Sequence, residues 1–207
     1  MVKGKGPVYR LKRADKARMI EAVLAAHLGE IPAGKRILDI GCGNGDISQY
    51  LSRWNEQYGV DLDDKRKSEN HAFYFRTIVD EHLPFADNHF DIAISNHVIE
   101  HVGNQELHLA EMRRVLRPTG IAYIATPNRS SPIMQGHKGN TSVLRYREMG
   151  ELFRTAGFKL TEYSIDVLKS PDRFHGDIRQ VYWIPQRVLR LLRRFFPSHI
   201  FIITPIQ

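Results

Sequence analysis

Ten consecutive residues, Ile37-Leu38-Asp39-Ile40-Gly41-Cys42-Gly43-Asn44-Gly45-Asp46, concentrate the chemistry of this chain. An apolar run carrying one carboxylate leads into three alternate glycines. With no Cβ where the backbone turns tightly, a ligand can approach the main-chain N–H groups. The dinucleotide fingerprint puts its third glycine one residue later, where Asp46 stands here. A negative charge at that place disfavours a pyrophosphate, whereas Asp39 is in reach of a cationic ammonium. Asp61 follows about 20 residues after the loop begins, the separation at which a carboxylate accepts hydrogen bonds from ribose hydroxyls. A ribose-bearing, positively charged ligand fits this set. A nucleoside carrying an amino-acid cation is S-adenosylmethionine.

Other chemistries find less support. The chain has 10 histidines, and His97 and His101 have His-x-x-x-His spacing, but Val98 and Ile99 stand where a zinc hydrolase needs its glutamate. No metal is expected. There is no Gly-x-Ser-x-Gly elbow for a serine nucleophile. The single cysteine, Cys42, cannot form an internal disulfide, which fits a reducing compartment.

The elements that must position the glycine loop follow from periodicity. Met19, Ile20, Val23, Leu24 and Leu28 recur at helical steps between Asp15 and Leu28, with Gly29 as a stop, and predict an amphipathic lead-in helix. Arg36 to Ile40 is short and apolar, as a buried parallel strand is. A helix is expected over 46–54 and a second strand over 57–62. Further strands are expected over 72–79, 90–96 and 121–126, with a helix over 105–116 that Arg117-Pro118-Thr119-Gly120 breaks. Residues 128–144 read as a long loop, 146–155 as a helix, 159–168 as a strand and 169–185 largely as loop. A helix over 185–196 and a strand at 200–203 follow, the strand able to lie antiparallel to its predecessor. Alternating strands and helices predict an α/β, doubly wound, parallel sheet with right-handed crossovers. At 207 residues a single domain is expected, with 1–35 leading in.

Four stretches, in order, carry a family likeness. Leu38–Gly45, Gly59-Val60-Asp61-Leu62-Asp63, Leu83–Asp91 (LPFADNHFD) and Glu111–Gly120 (EMRRVLRPTG) together resemble the motifs of class I S-adenosylmethionine-dependent methyltransferases. The likeness is greatest to the branch containing the quinone C-methyltransferases, and it spans roughly residues 36 to 168. It implies a Rossmann-like, seven-stranded, mostly parallel sheet with the last strand antiparallel. It also implies cofactor contacts. Asp39, Gly41 and Gly43, with Cys42 between them, would hold the methionine end, Asp61 the ribose, and Leu62 the adenine face. Asp80 would lie near the adenine amino group. It stands three residues before Leu83, where the family more often leaves four, so Glu81 competes for the role. Asn96 and His97 fall beside the reactive methyl group.

Methyl transfer displaces at an already activated sulfonium carbon, so holding the acceptor close and aligned supplies most of the acceleration. A hydroxyl acceptor gains from a base. His97, His101, His137 and His175 are candidates, and His97, at the carboxyl end of a central strand, has the best address. Loops at the carboxyl ends of the strands build the ligand crevice in this fold class, so 128–144 and 169–197 are expected to cover the substrate. They carry Arg129, His137, Lys138, Arg173 and His175, which suit an anionic acceptor. Along 186–196, Arg187, Arg190, Arg193 and Arg194 share one side of a helix and Val188, Leu189, Leu191, Leu192, Phe195 and Phe196 the other. That side either packs on the core or meets an anionic membrane surface or a lipid-linked acceptor.

The formal net charge of +7 favours anionic partners without choosing among them. The reading is an S-adenosylmethionine-dependent O-methyltransferase of a small, lipid-linked or glycan acceptor. It is expected to be cytoplasmic, with peripheral membrane contact through 186–196. Two alternatives stand beside it: an RNA- or protein-modifying methyltransferase, and a non-catalytic S-adenosylmethionine-binding partner subunit. The first lacks an Asn/Asp-Pro-Pro-aromatic motif and an appended RNA-binding module, which disfavours nucleic acid as a partner.

Overall fold

The computed structural model describes residues 13–131, 143–165, 186–196 and 198–207. Seven strands form one sheet in the order β3-β2-β1-β4-β5-β7-β6. They are β1 (Arg36–Ile40), β2 (Glu56–Asp61), β3 (Tyr74–Thr77), β4 (Phe90–Asn96), β5 (Leu116–Pro127), β6 (Phe158–Ile165) and β7 (Ser198–Pro205). The β1–β2, β1–β4, β2–β3 and β4–β5 pairs are parallel. Strand β7 runs antiparallel to both β5 and β6. The doubly wound sheet with an antiparallel last strand is the architecture expected from the sequence.

Side chains of the central strands alternate between two cores, as the two-residue period of a strand requires. Ile37, Ile92, Ile94, Tyr123, Ala125, Ile200 and Ile202 face α1 (Arg13–Leu28) and α2 (Asp46–Leu51), through Ile20, Val23, Leu24 and Leu51. Leu38, Ala93, Ala122, Ile124, Phe201 and Ile203 face the other way. They pack with Leu109 and Met112 of α3 (Gln105–Val115) and with Met149 and Phe153 of α4 (Tyr146–Thr155). Every one of these residues is almost wholly buried. At about 1.5–3 kcal/mol for each large side chain taken from water, the two faces fix the strand register, because a one-residue slip would exchange them.

Several boundaries differ from expectation. Helix α2 ends at Leu51, and Trp54 is 60 % exposed in a turn whose carbonyl accepts the Gly34 N–H at 2.8 Å. Strand β3 is only four residues long. Strand β5 starts at Leu116 and takes in Arg117–Gly120, the residues read as a breaker. Between the pairs Phe90↔Leu116 and Ile92↔Ile121 the register shifts, so the Pro-Thr-Gly segment bulges within the strand instead of preceding it. Asp91 fastens this bulge by accepting from the Arg117 guanidinium, while its other oxygen accepts the Arg36 N–H at 2.8 Å. The last helix is α5 (Gln186–Leu192), continued by a single 3₁₀ turn, Arg193–Phe195.

The carboxyl ends of the parallel strands define one rim. Pro127, which ends β5, pairs with Ser198, which starts β7, so the segment preceding β7 comes to that rim. Asn128, fully buried, holds it there by donating through Nδ2 to the carbonyls of Arg193 and Phe196, both at 2.7 Å. Most of 128–144, all of 169–185, and the candidates His137, Lys138, Arg173 and His175 lie outside the described residues.

Candidate active site

The glycine loop leaves β1 and turns at once. Gly41, Gly43 and Gly45 all have positive φ, at 69°, 56° and 79°, a region that side-chain-bearing residues seldom adopt. At Gly41 space is limiting as well: a Cβ there would sit 2.4 Å from Val98 Cγ2. The loop therefore touches the segment that follows β4. The Gly41 and Cys42 amides donate to the Val60 carbonyl at 2.8 and 3.1 Å, which ties the loop to β2.

Asp61 completes that tie. Its Oδ2 accepts the Gly43 N–H and its Oδ1 the Leu62 N–H, both at 2.8 Å. A cleft of about 420 Å³ opens beside it, lined among others by Gly41, Asp61, Leu62, Val79, Asp80 and His97. Two of its lining residues are apolar yet outside the core, Leu62 at 61 % exposure and Val79 at 92 %. Paired apolar side chains at a strand rim, next to a carboxylate, are what a flat base and its ribose require.

Asp80 and Glu81 both line the cleft. Glu81 Oε1 accepts the Gly103 and Asn104 amides at 2.8 and 3.0 Å, and chiefly the Asn104 amide holds its carboxyl below the usual range. Asp80 accepts the His82 N–H at 2.9 Å, which likewise lowers its pKa. Glu81 is thus engaged in holding the turn before α3, while Asp80 Oδ1 is engaged with the His82 amide and ring.

Asp39, Cys42, Gly43 and Asn96 are not among the residues lining the cleft. Asp39 is 1 % exposed, and its Oδ2 accepts the Ser48 hydroxyl at 2.7 Å. Burial pushes the Cys42 thiol well up, leaving it unsuited to act as a nucleophile. Asn96 lies one step past the Ile40–Ser95 pair, alongside the start of the glycine loop, with its Oδ1 buried and without a hydrogen-bond partner among the described residues. An orphaned acceptor at this place fits a cationic donor such as an ammonium.

Asp46 behaves otherwise than its place in the sequence suggested. Lys67 Nζ lies 2.9 Å from its Oδ1, Asn70 Nδ2 donates to that oxygen at 2.7 Å, and Asn44 donates to Oδ2 at 2.9 Å. Burial works against its charge, but these partners outweigh burial and lower its pKa. The charge is balanced locally and pins the loop to residues 67–70, so it bears less on phosphate than the sequence argument assumed.

His97 sits at the end of β4 with φ of 59° and its N–H donating to Ala125 O at 2.8 Å. A β-carbon-bearing residue in this region costs about 1–3 kcal/mol and persists only where the surroundings over-determine it. It lies in a bend and starts no helix. His101 also lines the cleft and is exposed. His108 lines it too, but is buried against Ser95 Oγ at 3.1 Å, and burial lowers its pKa to about 4. His108 therefore stays neutral. Among the described residues no group of three or more His, Cys, Asp or Glu could hold a metal ion.

Sequence reasoning gave no place at the cleft to Val79, Val98, Glu100 or His108. Val79 closes an apolar run, a usable signal. Glu100 stands three residues after His97, a spacing that could have paired the two.

Two sequence motifs prove to be scaffold. Arg114 Nη1 donates to Phe85 O and Asp87 Oδ1, Nη2 to Leu83 O and Glu111 Oε2, and Nε to Glu111 Oε1, all within 2.8 Å. Glu111 Oε2 also accepts the Leu83 N–H at 2.8 Å. The pair clamps the 83–87 segment under the cleft.

The chain is similar to known proteins in sequence and in fold. The sequence profile of the family described as "Methyltransferase domain" matches residues 38–124. A Mycolicibacterium smegmatis protein named "Probable S-adenosylmethionine-dependent methyltransferase" is 32 % identical over 144 residues, 63 % of this chain and 54 % of the relative. A ubiquinone biosynthesis O-methyltransferase of Rhizobium rhizogenes is 34 % identical over 106 residues, 47 % of this chain and 43 % of that protein. The chain spans about half the length of the curated relatives it matches. Among solved structures, the Burkholderia thailandensis 1,6-didemethyltoxoflavin-N1-methyltransferase, with bound 1,6-didemethyltoxoflavin and S-adenosylhomocysteine, shares the fold. Its TM-score is 0.59 at 19 % identity, over 92 % of this chain and 78 % of that one. With the motifs in order, the sheet in the order β3-β2-β1-β4-β5-β7-β6 and the profile match over residues 38–124, this chain is similar to the S-adenosylmethionine-dependent methyltransferases.

Proposed function

We propose that this protein transfers a methyl group from S-adenosylmethionine to the oxygen of a small acceptor. The observation that carries this reading is the cleft in which Gly41, Asp61, Leu62, Asp80 and His97 converge. Bound there, the cofactor supplies a sulfonium-activated methyl group. The chain's own residues bind and orient. Asp61 keeps the tip of the glycine loop against β2 and offers its remaining lone pairs to ribose hydroxyls. Leu62 and Val79 cover the base, and Asp80 accepts from its amino group. Asn96 Oδ1 accepts from the amino-acid ammonium at the loop. Asp39 steadies the start of the loop through Ser48, and Gly43 and Cys42 contribute backbone. His97, at the rim, takes the acceptor's proton.

The acceptor side of the reading rests on α5, which lies at the rim. Val188, Leu191, Leu192 and Phe195, spaced at helical steps, are 40–76 % exposed. Arg193 stacks on Tyr146 at 5.1 Å, while Arg187 is exposed. This exposure favours the lipid-facing alternative over core packing, with a lipid-linked acceptor presented at an anionic membrane surface. No described helix is long and apolar enough to cross a membrane. The name of one relative, the ubiquinone biosynthesis O-methyltransferase, lends support.

Incubation of the protein with methyl-labelled S-adenosylmethionine and fractionated extract tests the proposal. Label in the small-molecule or lipid fraction is expected. Label confined to RNA or protein would replace the acceptor class, and cofactor binding with no label in any fraction would point to a non-catalytic partner subunit.

A further inference from the structure

Glu100 is a buried carboxylate at the rim, its side chain 1 % exposed. Its Oε1 lies 3.1 Å from His97 Nδ1. Its Oε2 is buried with no hydrogen-bond partner among the described residues. The turn that carries it is held from two sides: the His101 N–H donates to Val98 O at 2.7 Å, and Gln105 Nε2 donates to Ile99 O at 2.8 Å. His97 is held independently, with its positive φ and its amide on Ala125 O at 2.8 Å. Two strained or costly features, a left-handed histidine and a buried carboxylate with an unused oxygen, are thus maintained to bring these two side chains together. A turn serving only to connect β4 to α3 needs neither.

We infer that Glu100 is a positioning residue for His97, fixing the imidazole with Nδ1 protonated and the Nε2 lone pair on the cleft side, and that the acceptor class is therefore one bearing an ionisable O–H, as phenols and enols do. This rests on the methyltransferase reading above.

The carboxylate accepts Nδ1–H, which leaves Nε2 as the acceptor nitrogen of the neutral ring. In the reaction the acceptor O–H bond breaks and its proton goes to Nε2. The oxygen lone pair forms the bond to the methyl carbon, and the methyl–sulfur electron pair stays on sulfur, giving the neutral thioether. The imidazolium formed has the carboxylate at its other nitrogen. A carboxylate that orients a histidine and stabilises its cation is the division of labour seen in hydrolytic triads. Amine acceptors whose nitrogen is neutral before attack need no such base, so the dyad selects for oxygen.

The tautomer of His97 tests this without knowing the acceptor. Long-range ¹H–¹⁵N correlation spectra are recorded on the protein saturated with S-adenosylhomocysteine, at a pH where the ring is neutral. The His97 signals are identified by their loss in His97→Gln. The Nδ1–H tautomer is expected to dominate in the native protein. In Glu100→Met and Glu100→Ala that preference is expected to vanish, with S-adenosylhomocysteine affinity within twofold of native. A native ring in the Nε2–H form, or an unchanged tautomer in the variants, overturns the inference. If neither variant folds, the native tautomer still decides. Absence of S-adenosylhomocysteine binding in the native protein would instead overturn the cofactor reading, a separate outcome.

Discussion

The Asp61 carboxylate accepts the Gly43 amide at 2.8 Å across 18 residues of sequence, joining the tip of the glycine loop to the end of the neighbouring strand. One carboxylate thereby does two things. It fixes the shape of the loop that approaches the ligand, and it stands at the wall of the cleft with lone pairs left for hydroxyl donors. Loop and cleft are consequently one unit: disturbing the loop disturbs the wall of the cleft.

Asp46 makes stability depend on pH. Its partners Lys67, Asn70 and Asn44 lower its folded-state pKa against the opposing effect of burial. For a carboxyl whose folded pKa is depressed, the unfolded chain binds its proton first, so the stabilisation is present above the unfolded value and lost as pH falls through the folded one. The thermal midpoint of the native protein is expected to fall as pH drops below about 4. Asp46→Asn should lower the midpoint at pH 7 and flatten this acid limb. An identical acid limb in the variant would show that Asp46 carries none of it.

Gly41→Ala should destabilise the protein strongly. The new Cβ meets Val98 at 2.4 Å on a backbone held at φ of 69°. Overpacking against a branched side chain costs about 1–3 kcal/mol, and the conformation adds to that. A fall in thermal midpoint of at least about 4 °C is expected for a chain of this size. Gly150→Ala, in α4 with open space around it and no positive φ, should leave the midpoint unchanged or raise it. Equal effects of the two substitutions would deny that the loop and the post-β4 turn are closely fitted.

Leu191, 76 % exposed on α5, is the probe for membrane contact. The native protein is expected to float with vesicles containing anionic lipid at physiological salt, and Leu191→Asp to remain in the soluble fraction with an unchanged thermal midpoint. Flotation that is equal for both, or absent for both, removes α5 as the contact.

Much of this was legible in the chain. The strand, glycine loop, helix and strand from Arg36 to Asp61 announce themselves because their signals are local: an apolar run, residues without Cβ, a carboxylate at a fixed distance. Where the decisive interaction is distant in sequence, the reading goes astray. Asp46 looked like a bare charge because Lys67 and Asn70, which balance it, come more than twenty residues later. The Pro118–Gly120 stretch looked like a break, but pairing with β4 and the Arg117–Asp91 contact draw it into β5 as a bulge. Asp39 is level with the ligand loop in sequence yet turns inward to Ser48, a matter of which face of β1 it occupies. Glu111 and Arg114 were legible as a family motif and not as a clamp, since most of their partners on 83–87 are backbone groups that composition cannot show, the Leu83 N–H for Glu111 and the Leu83 and Phe85 carbonyls for Arg114.

The central claim, that this cleft holds an adenosyl cofactor through Asp61, is tested most directly by calorimetric titration with S-adenosylhomocysteine. The native protein should bind one molecule per chain. Asp61→Ala should bind at least about tenfold more weakly, since hydrogen bonds to a charged acceptor are each worth about 1.5–3 kcal/mol. No heat of binding from the folded native protein, or the same affinity in Asp61→Ala, would contradict the assignment.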